Sequence, residues 1–248
     1  MSRPLIGPPI RHQYFFRGVV PSADFFQNKI SRAGAGVAGN AVQSEEASVR
    51  PAGSIMGKKV LIIQGHPDPE GKHFGRALAE AYAHGAGEGG HEVRVIEVAK
   101  LDFPLLRTKE EFEQGTPPKS IEAAQKEVLW ADHLVIFFPL WLGTMPALLK
   151  GFFEQLFRYG FALGKAEEGK MARLLKGRSA RIAVTMGMPA FIYRWYFGAH
   201  GVKVLKRSIL HLSGIGPIKE NLIGMIEGSQ AGRERWLRKM YLFGREGR

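Results

Sequence analysis

The 248-residue chain carries 35 Lys and Arg against 23 Asp and Glu, a formal net charge of +12, with 45% apolar residues, 23% charged residues and no cysteine. This length and composition suit a soluble globular protein of one or two domains, and the lack of cysteine excludes disulfides, thiolate zinc sites and thiol nucleophiles. A basic surface attracts anions, but no groove-reading motif, aromatic-basic RNA motif or Cys/His finger accompanies it, so no nucleic-acid partner is expected.

Residues 1–55 differ from the rest. Arg32 to Pro51 is rich in small residues without an apolar period, which predicts a disordered or loosely attached extension. Met56 directly precedes Gly-Lys-Lys-Val-Leu-Ile-Ile, so a start assigned too early is the alternative explanation. The amino terminus lacks a basic region followed by an apolar stretch and does not read as a secretory signal. The longest apolar run, Leu134 to Leu149, is interrupted by Pro139 and Pro146 and is short of the roughly 20 residues of a membrane span. A cytoplasmic protein is expected, with membrane contact only as peripheral docking.

From Met56 onward the pattern alternates, and residues 56–248 are expected to form one domain. Lys59 to Gln64 is a strand with an unbroken apolar centre, the mark of burial on both faces. Residues 74–84 follow as a helix with Phe74, Leu78, Ala81 and Tyr82 on one side, ended by Gly85, Gly87, Gly89 and Gly90. Glu92 to Val98 is a strand and 120–131 a helix. His133 to Phe138 is a second fully apolar strand, and Pro146 to Tyr159 is a helix with Pro in its first turn. Arg178 to Met186 is a strand; 193–212 is helical with a break at Gly198 to Gly201. Ile218 to Met225 is the last strand and 229–242 a basic amphipathic helix. Five strands alternating with helices predict an α/β fold with a parallel sheet covered on both faces. Ligands of such sheets lie outside the carboxyl ends of the strands.

Three strand ends therefore matter. The loop from Gln64 to Gly75, containing His66 and His73, feeds a helix whose free N–H groups and dipole favour phosphate, with Lys72 and Arg76 nearby. It holds neither Gly-x-Gly-x-x-Gly nor Gly-Lys-Ser/Thr, which excludes the Rossmann and P-loop patterns. Pro139, Leu140, Trp141 and Leu142, followed by Gly143, make a rigid apolar loop suited to a flat ligand. Thr185-Met186-Gly187-Met188 is a turn whose N–H groups can hold negative charge, followed by Tyr193, Tyr196 and His200 as proton donors.

Together these segments resemble the NAD(P)H:quinone oxidoreductase family of flavodoxin-like proteins, from about Lys58 to Glu227. The family's Phe-Pro-Leu-x-Trp-x-Gly-x-Pro-Ala-x-x-Lys-Gly-x-x-Glu is similar to Phe138-Pro139-Leu140-Trp141-Leu142-Gly143-Thr144-Met145-Pro146-Ala147-Leu148-Leu149-Lys150-Gly151-Phe152-Phe153-Glu154. Its Thr-Gly-Gly turn is similar to Thr185-Met186-Gly187, and its Gly-x-His-Gly to Gly198-Ala199-His200-Gly201. Two departures stand out. His73 replaces the first-loop serine that bonds the flavin phosphate, in a loop about two residues longer, and Tyr193 lies one residue off the usual distance to His200, leaving Tyr196 as its rival.

The resemblance implies a flavodoxin-like doubly wound five-stranded parallel sheet, order 2-1-3-4-5, with helices on both faces. It implies FMN or FAD as cofactor, NAD(P)H as co-substrate, and ping-pong two-electron transfer to a quinone or other small aromatic acceptor. His66, His73 and Phe74 would lie near the phosphate; Pro139, Leu140, Trp141, Leu142, Thr185, Gly187 and Met188 would line the ring; Tyr193, His200 and Gly187 would serve the chemistry. A homodimer is expected. The alternative from the same resemblance is a regulatory flavoprotein bound to a potassium-efflux membrane protein. An electron-carrier flavodoxin is disfavoured because those proteins are acidic.

Overall fold

A computed structural model describes residues 57–165 and 171–248, all within the compact unit Ser54–Arg248. The expectation for residues 1–55, and its boundary at Met56, lies outside the described residues.

Strand β1 (Lys59–Gln64) pairs in parallel with β2 (Glu92–Glu97) on one side and β3 (His133–Pro139) on the other. β3 pairs with β6 (Ser179–Thr185), which pairs with β7 (Ile218–Ile223), all parallel. The order is β2-β1-β3-β6-β7, the expected 2-1-3-4-5 when only the sheet strands are counted. The central strands earned that placement through composition: Val60 to Ile63 and Leu134 to Phe138 are at most 1% exposed, as strands covered on both faces must be. The short antiparallel pair β4 (Leu163–Lys165) and β5 (Met171–Arg173) forms a separate hairpin that no periodicity announced.

One face of the sheet is covered by α3 (Lys119–Trp130) and α4 (Ala147–Leu156). Ile121, Ala124 and Val128 of the former and Leu149, Phe152, Phe153 and Leu156 of the latter pack on Leu61, Ile63, Leu134, Ile136 and Ile182. The other face carries α1 (Phe74–Glu88) and α7 (Gln230–Arg245), which pack on each other. Their crossing corrects one expectation. Gly85 and Gly87 do not end α1; the helix runs through both to a C-cap at Gly89. Gly85 is instead a contact glycine, because a Cβ there would lie 2.0 Å from the Tyr241 carbonyl oxygen, and one at Gly244 would lie 2.0 Å from that of Tyr82. The two backbones touch where side chains would have held them apart. Gly244→Ala is expected to cost about 1–3 kcal/mol by forcing the helices apart; a denaturant midpoint equal to that of the parent chain would show that the crossing yields freely.

A short helix, α2 (Lys109–Gln114), also escaped the periodicity because none of its residues is buried. Its signal was local: Thr108 accepts from Glu111 N–H at 3.1 Å and Glu111 accepts from Arg107 N–H at 2.9 Å, a variant of the capping box. The expected helix 193–212 is broken as anticipated, into α5 (Ala190–Trp195), α6 (His200–Lys203) and a π-helical stretch Val204–His211. Positive φ at Gly198 (62°) and Ala199 (49°) makes the break.

Candidate functional site at the strand ends

Sheet order puts the segments after β1, β3 and β6 side by side, each strand about 4.8 Å from the next. After β1 the chain turns through Gly65 to Gly71. Asp68 organises the turn, its Oδ1 accepting from the N–H of Glu70 (3.0 Å) and Gly71 (3.2 Å). His73 Nε2 lies 2.8 Å from Asp68 Oδ2, and its ring stacks on His66 with centroids 3.5 Å apart. His66 Nδ1 accepts the Asp68 N–H. Burial, then the adjacent His73, lowers the His66 pKa to about 4, so His66 is a neutral imidazole at physiological pH. His73 takes up the Asp68 carboxylate that its position places beside it.

Backbone groups supply the unused donors at this end of the cleft. His73 is the N-cap of α1 without a side-chain cap bond, and no hydrogen bond among the described residues uses the N–H of Phe74 or Gly75. A helix start with unused donors attracts phosphate. Gln64, 4% exposed, braces the start by donating to the Gly75 carbonyl at 3.3 Å. Arg76 is turned away to Glu97 and the Pro69 carbonyl, both at 2.9 Å. Phe74 faces a 250 Å³ cleft shared with Met225, Ile226, Arg233 and Trp236.

After β3, Trp141 and Thr144 exchange N–H···O=C bonds of 2.9 Å. Leu142 (φ 46°) and Gly143 (φ 80°) sit between them, the two positive φ values of a type I′ turn. Leucine is a costly residue there, and its side chain is fully exposed. Pro139 and Leu140 are half-buried behind it, Leu140 N–H donating to the Thr185 carbonyl at 2.8 Å. Trp141, half-exposed, meets the edge of His66 at 6.2 Å, which closes the first loop against the second.

After β6, Thr185 and Met186 are buried, while Gly187 and Met188 emerge into solvent. No hydrogen bond among the described residues uses the N–H of Gly187 or Met188, and a Cβ at Gly187 would meet nothing within 4 Å. Tyr193 and Tyr196 separate sharply. Tyr193 is 1% exposed; its hydroxyl donates to the Gly143 carbonyl at 3.0 Å and accepts from Val202 N–H at 3.4 Å. Burial pushes its pKa up. Tyr196 is 83% exposed. His200 is exposed and folds back over Gly198, where a Cβ would lie 2.6 Å from its Nε2. Gly201, which the sequence marked only as part of a motif, packs so tightly on the turn after β3 that a Cβ would lie 2.5 Å from the Gly143 oxygen. Tyr193→Phe is expected to lose about 1 kcal/mol of stability, read by thermal unfolding; no change would show that the Gly143 contact carries nothing.

The fold and these strand ends define a doubly wound α/β protein whose unused backbone donors and apolar loop gather at the carboxyl ends of the strands. A family model described as flavodoxin-like fold matches residues 58–240, and the chain belongs to that family. A ribosyldihydronicotinamide dehydrogenase-like protein, traD, of Penicillium crustosum is 28% identical over 170 residues, covering 58% of this chain and 61% of its own length. FMN-dependent NADH:quinone oxidoreductase 8 of Burkholderia lata is 27% identical over 141 residues, covering 52% of this chain and 65% of its own. The structure of an NAD(P)H:quinone oxidoreductase from Methanothermobacter marburgensis superposes with a TM-score of 0.64 at 25% identity, covering 77% of this chain and 100% of that one. The chain thus spans less than two thirds of the Penicillium and Burkholderia relatives. Among the described residues no helix is long and apolar enough to cross a membrane.

Proposed function

We propose that the protein is a flavin-dependent NAD(P)H:quinone-type oxidoreductase, with FMN as the flavin. The observation that carries this reading is the pair of unused donor groups, Phe74 and Gly75 N–H at one helix start and Gly187 and Met188 N–H beyond the next strands, with the exposed Trp141 and Leu142 between them. That layout fits a phosphate at one end, a flat apolar face in the middle and an electron-rich ring edge at the other. A bound flavin supplies the two-electron chemistry between a nicotinamide and an acceptor. The chain's own part is to hold and orient.

Phe74 and Gly75 N–H bind the phosphate, with the paired His73 and Asp68 shaping the loop. Trp141 and Leu142 would offer an apolar face to the ring and exclude water from it. Gly187 and Met188 N–H would stabilise negative charge on a bound flavin, in the manner of an oxyanion hole. Tyr193, with its hydroxyl already committed, positions the Gly143 turn, and the exposed His200 is the residue free to deliver a proton. The relatives point to nicotinamide as reductant and a quinone as acceptor, and the Burkholderia relative to FMN.

A second copy of the chain completes the cleft in this reading. Leu142, and Phe191, Trp195, Tyr196 and Phe197 on and beside α5, are all at least 46% exposed, apolar side chains that a partner copy would cover. Sedimentation is expected to find a homodimer.

The decisive experiment is an absorption spectrum of the purified protein, before and after anaerobic NADPH or NADH. Flavin bands that bleach, and return on adding a quinone without any partner protein, are the expected result. A colourless chain that takes up neither FMN nor FAD would overturn the reading. Uptake without turnover would favour a regulatory flavoprotein instead.

A further inference from the structure

We propose a second ligand site, for a phosphate group, at the opposite end of the sheet from the strand-end cleft. No acidic residue occurs between Glu168 and Glu220, whereas that stretch contains ten Lys and Arg. The fold gathers part of this one-signed segment into a groove of 450 Å³. Arg173 comes from β5, Lys206, Arg207 and His211 from the π-helical stretch, and the connection Gly214–Ile218 forms the floor. A volume in that range accommodates a small molecule.

The charge in the groove is largely unspent. Lys206 is the exception, with its Nζ 3.3 Å from Glu220, which also receives Arg194. Arg173 and Arg207 are exposed and form no ion pair among the described residues. A concave surface of one sign focuses field lines and concentrates counter-ions, and guanidinium groups bind phosphate through paired N–H donors.

Backbone geometry supplies an independent reason. Three of the four basic side chains project from the π-helical segment, Val204–His211, a conformation that is rare and frequent at functional sites. Gly214, at φ 101°, lets the connection pass close to Arg173, since a Cβ there would lie 3.1 Å from the Arg173 Cβ. The groove precedes β7, whose six residues separate it from the strand-end cleft by roughly 20 Å. It therefore does not depend on the flavin reading.

The shared chemistry is a phosphate monoester or pyrophosphate, whether free or on a lipid headgroup, and two probes separate the sources. The full chain is titrated with inorganic pyrophosphate by calorimetry and, separately, with phosphatidylcholine vesicles containing phosphatidic acid. The double variant Arg173→Gln/Arg207→Gln is compared with Arg235→Gln/Arg238→Gln, which removes the same charge from α7. Saturable binding that weakens about tenfold or more in the first variant alone is expected, since losing two charge-assisted contacts costs more than the 1.4 kcal/mol of a decade. Response to pyrophosphate assigns a soluble ligand and response to vesicles alone a lipid headgroup. Saturation with neither probe, or an equal loss in both double variants, would overturn the site. Unchanged thermal unfolding of the variants would confirm that the loss is one of binding.

Discussion

Gly201→Ala is expected to lower turnover with NAD(P)H and a quinone by about 100-fold, because a misplacement near 1 Å in a positioning element is enough for that loss. The alanine Cβ would lie 2.5 Å from the Gly143 oxygen and 2.6 Å from the Thr144 Cα, both backbone atoms that cannot swing aside. The turn after β3 has to move. It carries Trp141 and Leu142, and the Tyr193 hydroxyl donates to the same Gly143 oxygen at 3.0 Å, so the strain reaches the loop that we propose covers the ring. Overpacking itself should cost about 1–3 kcal/mol, which thermal unfolding separates from the catalytic loss. Gly187→Ala is the contrasting variant. Its Cβ meets nothing within 4 Å, so the folded chain should keep its stability to within about 0.5 kcal/mol, while flavin uptake weakens if the ring edge lies where we place it. Gly201→Ala with full flavin affinity and turnover would show that the turn is not part of the site.

Stability is expected to fall by several kcal/mol on acidification from neutral pH towards pH 3, with His133 the largest single contributor. His133 opens β3 and is 3% exposed. Its Nδ1 lies 2.7 Å from Ser179 Oγ and its Nε2 has no partner among the described residues. Burial, then the cations Lys58 and Arg181 and the nearby His91, lowers its pKa from 6.5 to about 3. In the unfolded chain the imidazole protonates as pH drops through 6.5, whereas in the folded chain it stays neutral until about 3. The unfolded state binds the extra proton across that window. The stability His133 contributes is thus complete above pH 6.5 and is lost as pH falls towards 3, on the order of 3–5 kcal/mol at 1.36 kcal/mol per pKa unit. His66, lowered to about 4, titrates in the same sense over a shorter range. His133→Leu should flatten the acid limb of the unfolding curve; an unchanged limb would assign the acid sensitivity to other groups.

Much of the fold was legible because its signals are local. Unbroken apolar runs within Lys59–Gln64 and His133–Phe138 read as strands with both faces covered, and their alternation with helices points to a parallel sheet. Hydrophobic period cannot see a helix that buries nothing, so α2 was missed although Thr108 and Glu111 spelled its start. It also could not tell a glycine that ends α1 from one that lets α7 touch it, because the two differ only in what lies across the crossing. The strand-end loops stand out as the candidate site by position in the sheet, and the sheet order brings the segments after β1, β3 and β6 side by side.

The sequence by itself thus determined the alternation of strands with helices and the sign of the net charge, since periodicity and charge are properties of neighbouring residues, while the strand order followed from the family resemblance. Only the tertiary structure decided that Tyr193 is buried against Gly143 while Tyr196 faces solvent, that His73 is matched by Asp68, and that Arg173 meets Arg207 across a groove. The Tyr193 and Arg173 outcomes join residues far apart in sequence or turn on which side of one helix meets the core, and the His73 pairing turns on how its loop folds. They follow from close packing and left-handed backbone at positions such as Leu142, Gly198 and Ala199, which no local pattern encodes.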